Sequence, residues 1–426
     1  MNRKQKRELR KDKDLVKELY SIIVKYLPKL LDMFNDLTDV RNKSYISYEM
    51  KTICVTRLFS LLCGLTTMTD ISNKLESDIS IKNISKICGQ ELDELPYWET
   101  IQDVFININT DELRKIQKYI VIALIRSKMF DKYRFNGYFQ LLFDGTGLSS
   151  HNYNLNDNCL KRKHKDGKIS YYKYVLECKL VVGNIVISLD SEFIENKDML
   201  TDKQKQDCEI NAFKRMIKRI KQNYPKYKFV ITGDALYATS PIIKLCKKYN
   251  WNYIFNFKPD RLKEINEFFE SNIKLNNEVN LKNYYLSSGI YFKGNLINAI
   301  KYIETKNNKQ TTFRYITNLE VKNSNIENIV ILGRNRWKIE NEGFYTQKHR
   351  TFNISHLNSR NDTAMKNHYF FIQFAHTIRQ LLEQGNLLTK SLKLKIKEVS
   401  DFLLKTLTST NSDLNISTNF QLRFDT

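Results

Sequence analysis

The chain contains no Cys-x-x-Cys pair, and its seven cysteines are an odd number scattered from Cys54 to Cys246. That pattern argues against a disulfide framework and reads as reduced, mostly buried thiols of a cytosolic protein. No stretch approaches the roughly 18 apolar residues that a membrane helix needs. The best run, Tyr119 to Ile125, is closed by Arg126. The N-terminus is basic from Arg3 to Lys13, but no apolar segment follows at once, which speaks against a secretory signal. The expected location is the cytoplasm.

Acidic residues are also in short supply. Asp and Glu number 47 against 69 Lys and Arg, so the formal net charge is +22. An excess of that size attracts polyanions, nucleic acid first among them. The competing explanation is solubility or codon bias, because the chain is rich in Lys, Asn and Ile. Charged residues at 27% and hydrophobic ones at 42% otherwise describe an ordinary soluble globular protein. At 426 residues, two or three domains are the natural expectation.

Residues 1–135 read as helices. Leu15, Leu19, Ile22, Ile23 and Tyr26 repeat at helical spacing until Pro28 interrupts them. Ile53 to Leu65 and Leu113 to Ile125 carry further apolar stripes. Such a Lys/Arg-bearing region is either a DNA-end-binding domain or a helical scaffold with a solvated basic face; no helix-turn-helix signature decides between them. From 138 the texture changes. Tyr138–Phe143 reads as a strand, followed by a polar, basic connection from Ser149 to Lys168. The cluster Lys161 to Lys165 within it is either solvated or a phosphate contact. Strands Val175–Val182 and Ile185–Leu189 flank the two-residue turn Gly183-Asn184. A basic helix from about Lys203 to Gln222 precedes strand Phe229–Thr232, helix Pro241–Tyr249, strand Trp251–Phe257 and helix Leu262–Phe269. Three antiparallel strands followed by right-handed crossovers predict a mixed α/β sheet of ribonuclease-H-like order across 136–274 and 331–385. Alternating aromatic segments in 275–330 read as a β-rich insertion apart from that core. A long apolar helix from Ala364 to about Glu383 follows. Residues 386–426 read as a C-terminal helix and a polar tail, the last dozen residues frayed.

Three acids stand out. Asp144 follows the apolar run Tyr138–Phe143, and Asp234 follows Phe229 to Gly233. Glu340 lies within Arg334 to Asn341, which reads as helix. An ionised carboxylate at the end of a buried strand is costly unless something compensates it. Oxygen-only clusters suit Mg²⁺, and two such ions flanking a phosphodiester support an in-line displacement. On a helical wheel Arg336, Glu340 and Gln347 share a face flanked by Trp337 and Phe344. Glu340 is therefore either an i,i+4 ion-pair partner of Arg336 or a ligand for metal or phosphate. Glu209 reads as a possible supporting acid, since Asp207 two positions away does not share its face. His151, Cys159 and His164 lack a fourth ligand and tight spacing for zinc. His376, between Ala375 and Thr377 in the late apolar helix, reads as a core histidine.

Together, Asp144-Gly145-Thr146-Gly147, Gly233-Asp234-Ala235-Leu236-Tyr237 and Arg336-Trp337-Lys338-Ile339-Glu340-Asn341 resemble the DDE transposases of bacterial insertion sequences. The resemblance spans about 138–385. It is to the group with a Tyr-x₂-Arg-x₃-Glu-x₆-Lys signature and a β-strand insertion in the catalytic core. It implies Asp144, Asp234 and Glu340 as metal-binding catalytic residues and Mg²⁺ or Mn²⁺, two ions, as cofactor. It also implies DNA contacts by Arg334, Arg336, Lys348 and Tyr237. Arg336 matches the signature Arg, whereas the Tyr and Lys positions hold Gly333 and Gln347. The implied activity is metal-dependent cleavage of inverted-repeat ends and strand transfer into target DNA, by a homodimer on double-stranded DNA in the bacterial nucleoid. The rivals are a ribonuclease-H-like nuclease without strand transfer and a non-catalytic DNA-binding derivative.

Overall fold

The computed structural model describes residues 13–196, 206–275, 277–389 and 396–424. Residues 1–12 of the basic N-terminal stretch, and the start of the expected basic helix at Lys203, lie outside the described residues.

Among the described residues seven α-helices precede the sheet: α1 (Leu15–Tyr26), α2 (Leu30–Asn35), α3 (Met50–Leu62), α4 (Thr69–Leu75), α5 (Asp78–Cys88), α6 (Trp98–Asn107) and α7 (Thr110–Arg126). α1 starts where the Asp14 carboxylate accepts the Lys17 N–H. The stripe Leu15, Leu19, Ile22, Ile23 and Tyr26 is buried, as its spacing predicts.

The sheet then builds from β1 (Phe139–His151), β2 (Leu160–Lys163), β3 (Ile169–Val182), β4 (Ile185–Ile194), β5 (Phe229–Gly233) and β6 (Asn252–Asn256). Helix α8 (Glu209–Asn223) precedes β5, and α9 (Ser240–Tyr249) joins β5 to β6. β1, β3 and β4 are antiparallel neighbours, and β5 and β6 continue from β1 in parallel. The order β4-β3-β1-β5-β6 is that of a ribonuclease-H-like sheet. The polar connection expected from Ser149 is partly strand. β1 runs on to His151 against β3, and β2 pairs with β3 as an edge strand carrying exposed Lys161, Arg162 and Lys163.

Helix α10 (Lys263–Leu275) leads into β7 (Tyr284–Phe292), β8 (Asn295–Lys306) and β9 (Lys309–Thr317). This region is β-rich, but it does not stand apart from the core. β9 pairs antiparallel with β6, so all three strands extend the same sheet. β9 thereby covers the edge that β6 would otherwise leave as a row of open backbone groups.

After α11 (Ile326–Arg334) the chain turns at Asn335 and Arg336 and enters a π-helical segment, Ile339–Tyr345, before α12 (Thr346–His349). The uninterrupted α-helix expected through Asn341 is thus replaced by a helix end and a π segment. Helix α13 (Asp362–Gln384) is buried nearly all round. It packs against α1, α3, α6, α7 and β4. One apolar cluster consequently extends from Leu15 to Phe424 and joins the N-terminal helices to the sheet. α14 (Asn386–Thr389) and α15 (Ile396–Ser409) follow. The frayed tail is a correction: Leu422 and Phe424 are buried, Phe424 bridges Gly385, and the Leu422 N–H donates to the Tyr26 hydroxyl at 2.8 Å. Two apolar side chains among polar neighbours suffice to anchor it.

Candidate active site

Strand register places the first two acids. In the parallel pair β1–β5, Leu142 stands opposite Thr232. Two residues further along each chain, Asp144, within the long strand β1, and Asp234, just past the end of β5, therefore stand side by side where the parallel pairing of the two strands stops. That is the edge at which open α/β sheets bind ligands. Each carboxylate is oriented locally. Asp144 Oδ1 accepts the Gly145 N–H at 3.0 Å, and Asp234 Oδ1 accepts the Leu236 N–H at 2.7 Å.

The remaining Asp144 oxygen faces Arg336, whose Nη1 lies 3.6 Å away. Burial pushes the Asp144 carboxyl up to about 7; Arg336 opposes that rise, while Glu209 and Asp234 add to it. Glu209, the first residue of α8, joins the two aspartates. Its Oε1 accepts the Tyr237 hydroxyl at 2.5 Å, and its own carboxyl is pushed up by burial and by Asp234. A Cβ on Gly145 would lie 2.7 Å from Glu209 Oε2 and 2.8 Å from the Tyr174 hydroxyl, so only glycine lets those side chains approach Asp144 so closely.

The other expected residues are distributed differently. Glu340 is exposed on the π segment, one turn beyond Arg336. It has not formed the i,i+4 pair with Arg336 that sequence spacing offered, because Arg336 turns to Asp144 and stacks over Trp337, 4.2 Å from the ring centroid. Tyr237 is only 1% exposed, packed among Phe143, Phe213 and Phe255. The DNA contact expected of it is corrected: an enclosed ring with its hydroxyl on Glu209 has no surface to offer a duplex. Arg334 is committed to Glu304, with Nη1–Oε1 at 2.7 Å, and stacks on Phe313. Lys348 is half-buried on α12.

Both departures from the sequence signature have structural counterparts. At the signature Tyr position, a Cβ on Gly333 would lie 2.6 Å from Tyr315 Cζ; the Tyr315 ring, from β9, fills that space. At the signature Lys position, Gln347 is buried, donating to Gln373 Oε1 at 2.8 Å and lying 2.9 Å from His376 Nδ1. Buried Lys179 also donates to Gln373 and pairs with Glu177 at 3.1 Å. The wider turn of the π segment rotates Gln347 away from the face of Glu340. His376 is a core residue, as expected.

The donor set Asp144, Asp234 and Glu340 is all oxygen, which fits Mg²⁺ or Mn²⁺ in chemistry. Its geometry is incomplete: among the described residues no three His, Cys, Asp or Glu side chains are gathered to hold an ion as they stand. No helix among the described residues is long and apolar enough to cross a membrane.

No curated protein matches the chain closely enough to name a relative. A family model described as "Transposase DDE domain" does match, over residues 140–378. That stretch is more than half of the chain, opens within β1 just before Asp144 and closes inside α13 beyond Glu340, and the chain therefore belongs to the transposases with a DDE domain.

Proposed function

We propose that this transposase binds the inverted-repeat ends of an insertion sequence, cleaves them, and joins the freed 3′-OH to target DNA. The observation that carries the reading is that Asp144 and Asp234 follow, by the same two residues, the last register pair of the parallel strands β1 and β5, inside the matched domain. Asp144 and Asp234 would hold the divalent ions, and Glu340 would complete one site. Bound metal supplies activation of the attacking oxygen and stabilisation of the leaving one. Arg336 balances the carboxylate charge at Asp144 and holds the start of the segment that carries Glu340. Glu340 moves from its exposed position toward the aspartates when DNA and metal are present. Lys348 contacts phosphate. Affinity comes mainly from basic side chains, including the edge strand at 161–163 and the N-terminal helices. The enzyme works in the cytoplasm, on the nucleoid, as a homodimer that brings two ends together.

The test is a pair of gel assays with Mg²⁺, cleavage on intact end DNA and joining on pre-nicked end DNA. Asp144→Ala, Asp234→Ala and Glu340→Ala should each abolish cleavage and joining while leaving end binding nearly intact. Wild-type cutting without joining would favour a nuclease. Joining by Glu340→Ala at the wild-type rate would move the third ligand elsewhere, with Glu209 and Glu342 as candidates.

A further inference from the structure

Asp144 shares its face of the sheet with a buried polar chain that the proposed chemistry does not use. Glu177 on β3 stands directly opposite Asp144 on β1, and Lys179 stands opposite Leu142. Opposed residues of an antiparallel pair point to one face. On that face Leu142 and Val181 pack with Ile339 and Phe344, from the segment that carries Glu340. Glu177 and Lys179 are fully buried. Glu177 accepts the hydroxyls of Ser188 at 2.8 Å, Tyr369 at 2.7 Å and Ser191, and pairs with Lys179 at 3.1 Å. Lys179 passes beneath the segment, where a Cβ on Gly343 would lie 3.7 Å from its Cε, and donates to Gln373 Oε1 on α13 at 2.6 Å. The same Gln373 oxygen accepts from Gln347 at 2.8 Å, just past the far end of the segment. The near end is tied by Arg336 to Asp144 and by Lys338, which donates to the Gly183 carbonyl at 2.5 Å.

A buried ion pair contributes little net stability, because apolar side chains of similar size often hold a core at least as well. What such a network adds is a defined geometry, since its donors and acceptors are satisfied together in one arrangement. The Gln373 oxygen is the point where the lysine of β3 and the end of the segment meet. We propose that Lys179 and Gln373 are positioning residues for the transfer reaction. Through Gln347 they fix the far end of the segment against the strands beside Asp144. Glu340, between two anchored ends, then reaches the aspartates by a movement of the middle turn alone. The inference rests on the transposase reading and on Glu340 as the third acid, and adds what sets the placement of that acid.

The experiment measures, on the full chain, single-turnover joining of pre-nicked end DNA across a Mg²⁺ titration, end binding by anisotropy without metal, and thermal melts. Gln373→Met keeps the bulk and removes the acceptor. Joining at saturating Mg²⁺ should fall roughly tenfold and the half-saturating Mg²⁺ concentration should rise, with end affinity changed by less than about twofold. Gln373→Glu keeps an acceptor for both donors and should recover most of the rate. Gln347→Met cuts the same contact from the other side and should match Gln373→Met. A lower melting point with unchanged joining and an unchanged Mg²⁺ requirement makes the network structural and overturns the proposal. A Gln373→Glu protein no faster than Gln373→Met overturns it as well, and so does loss of folding in both Met variants. Wild-type protein that binds end DNA but never joins it, or Glu340→Ala that joins as fast as wild type, overturns instead the reading beneath the proposal.

Discussion

Arg336 and Asp144 meet across the site, Nη1 to Oδ2 at 3.6 Å, although one sits past the end of α11 and the other on β1. The same guanidinium lies over the Trp337 ring, which is 51% exposed. The pair therefore links β1 to the segment that carries Glu340. Arg336→Ala should slow joining of pre-nicked ends by roughly tenfold or more while costing only about 1 kcal/mol of stability. Arg336→Lys should fall between, because it keeps the charge but loses the planar stack. Single-turnover rates beside thermal melts give the comparison. An unchanged rate in the Ala variant would make the contact incidental.

Tyr237 and Glu209 tie the Asp234 turn to the start of α8. Tyr237→Phe keeps the packed ring and removes only the hydroxyl, so stability should fall by about 1 kcal/mol. Joining should slow several-fold as Glu209 loses its anchor beside Asp234. Glu209→Gln should act on the same contact, and the double variant should be no slower than the worse single one. Additive effects in that cycle would show that the two residues act independently.

Affinity for end DNA should fall steeply with ionic strength, because many Lys and Arg contacts release counterions. The surplus of 69 basic over 47 acidic residues is the source. A flat dependence between low and physiological salt would mean that the charge serves solubility instead.

Asp362, at the start of α13, is bonded to Lys173 at 2.6 Å and to Lys366 at 2.8 Å. Burial alone would raise its carboxyl, but the two lysines outweigh it and hold the group well below the usual carboxylate range. A depressed folded value contributes stability above the unfolded carboxylate pKa of about 4, lost as pH falls through the folded value. Asp362→Ala should cost on the order of 2 kcal/mol at neutral pH and flatten the acid limb of a stability–pH curve. The limb is read from urea midpoints at a series of pH values. An acid limb as steep as the wild type's would assign acid sensitivity to other groups.

The strands at Asp144 and Asp234 were legible as short apolar runs closed by an acid, although only β5 stops there and β1 runs on to His151. The turn Gly183-Asn184 was legible for its two-residue length. The end of β1 and all of β2 were not, because Ser150 and Lys161 to Lys163 face solvent and show none of the alternation of a half-buried strand. Glu209 gave only a weak signal: one acid at a helix start gains meaning when the fold brings Tyr237 and Asp234 to it. Gly333 read as a departure from the signature until Tyr315, distant in sequence, was found filling its space. Gln347 misled a wheel drawn at α-helical period, since the π segment changes the count between it and Glu340.

Helix α13 also sets a timetable. The helices that end at Arg126 leave the ribosome first, yet the surface they bury against begins at Asp362, more than two hundred residues later. At elongation rates of about 5–20 residues per second that delay is on the order of tens of seconds. Throughout it, the faces of α1, α3, α6 and α7 that α13 covers lack that partner. The strand of chain that closes on Tyr26 at Leu422 comes later still. A chain cut short before α13 is thus left with that face of its N-terminal helices uncovered.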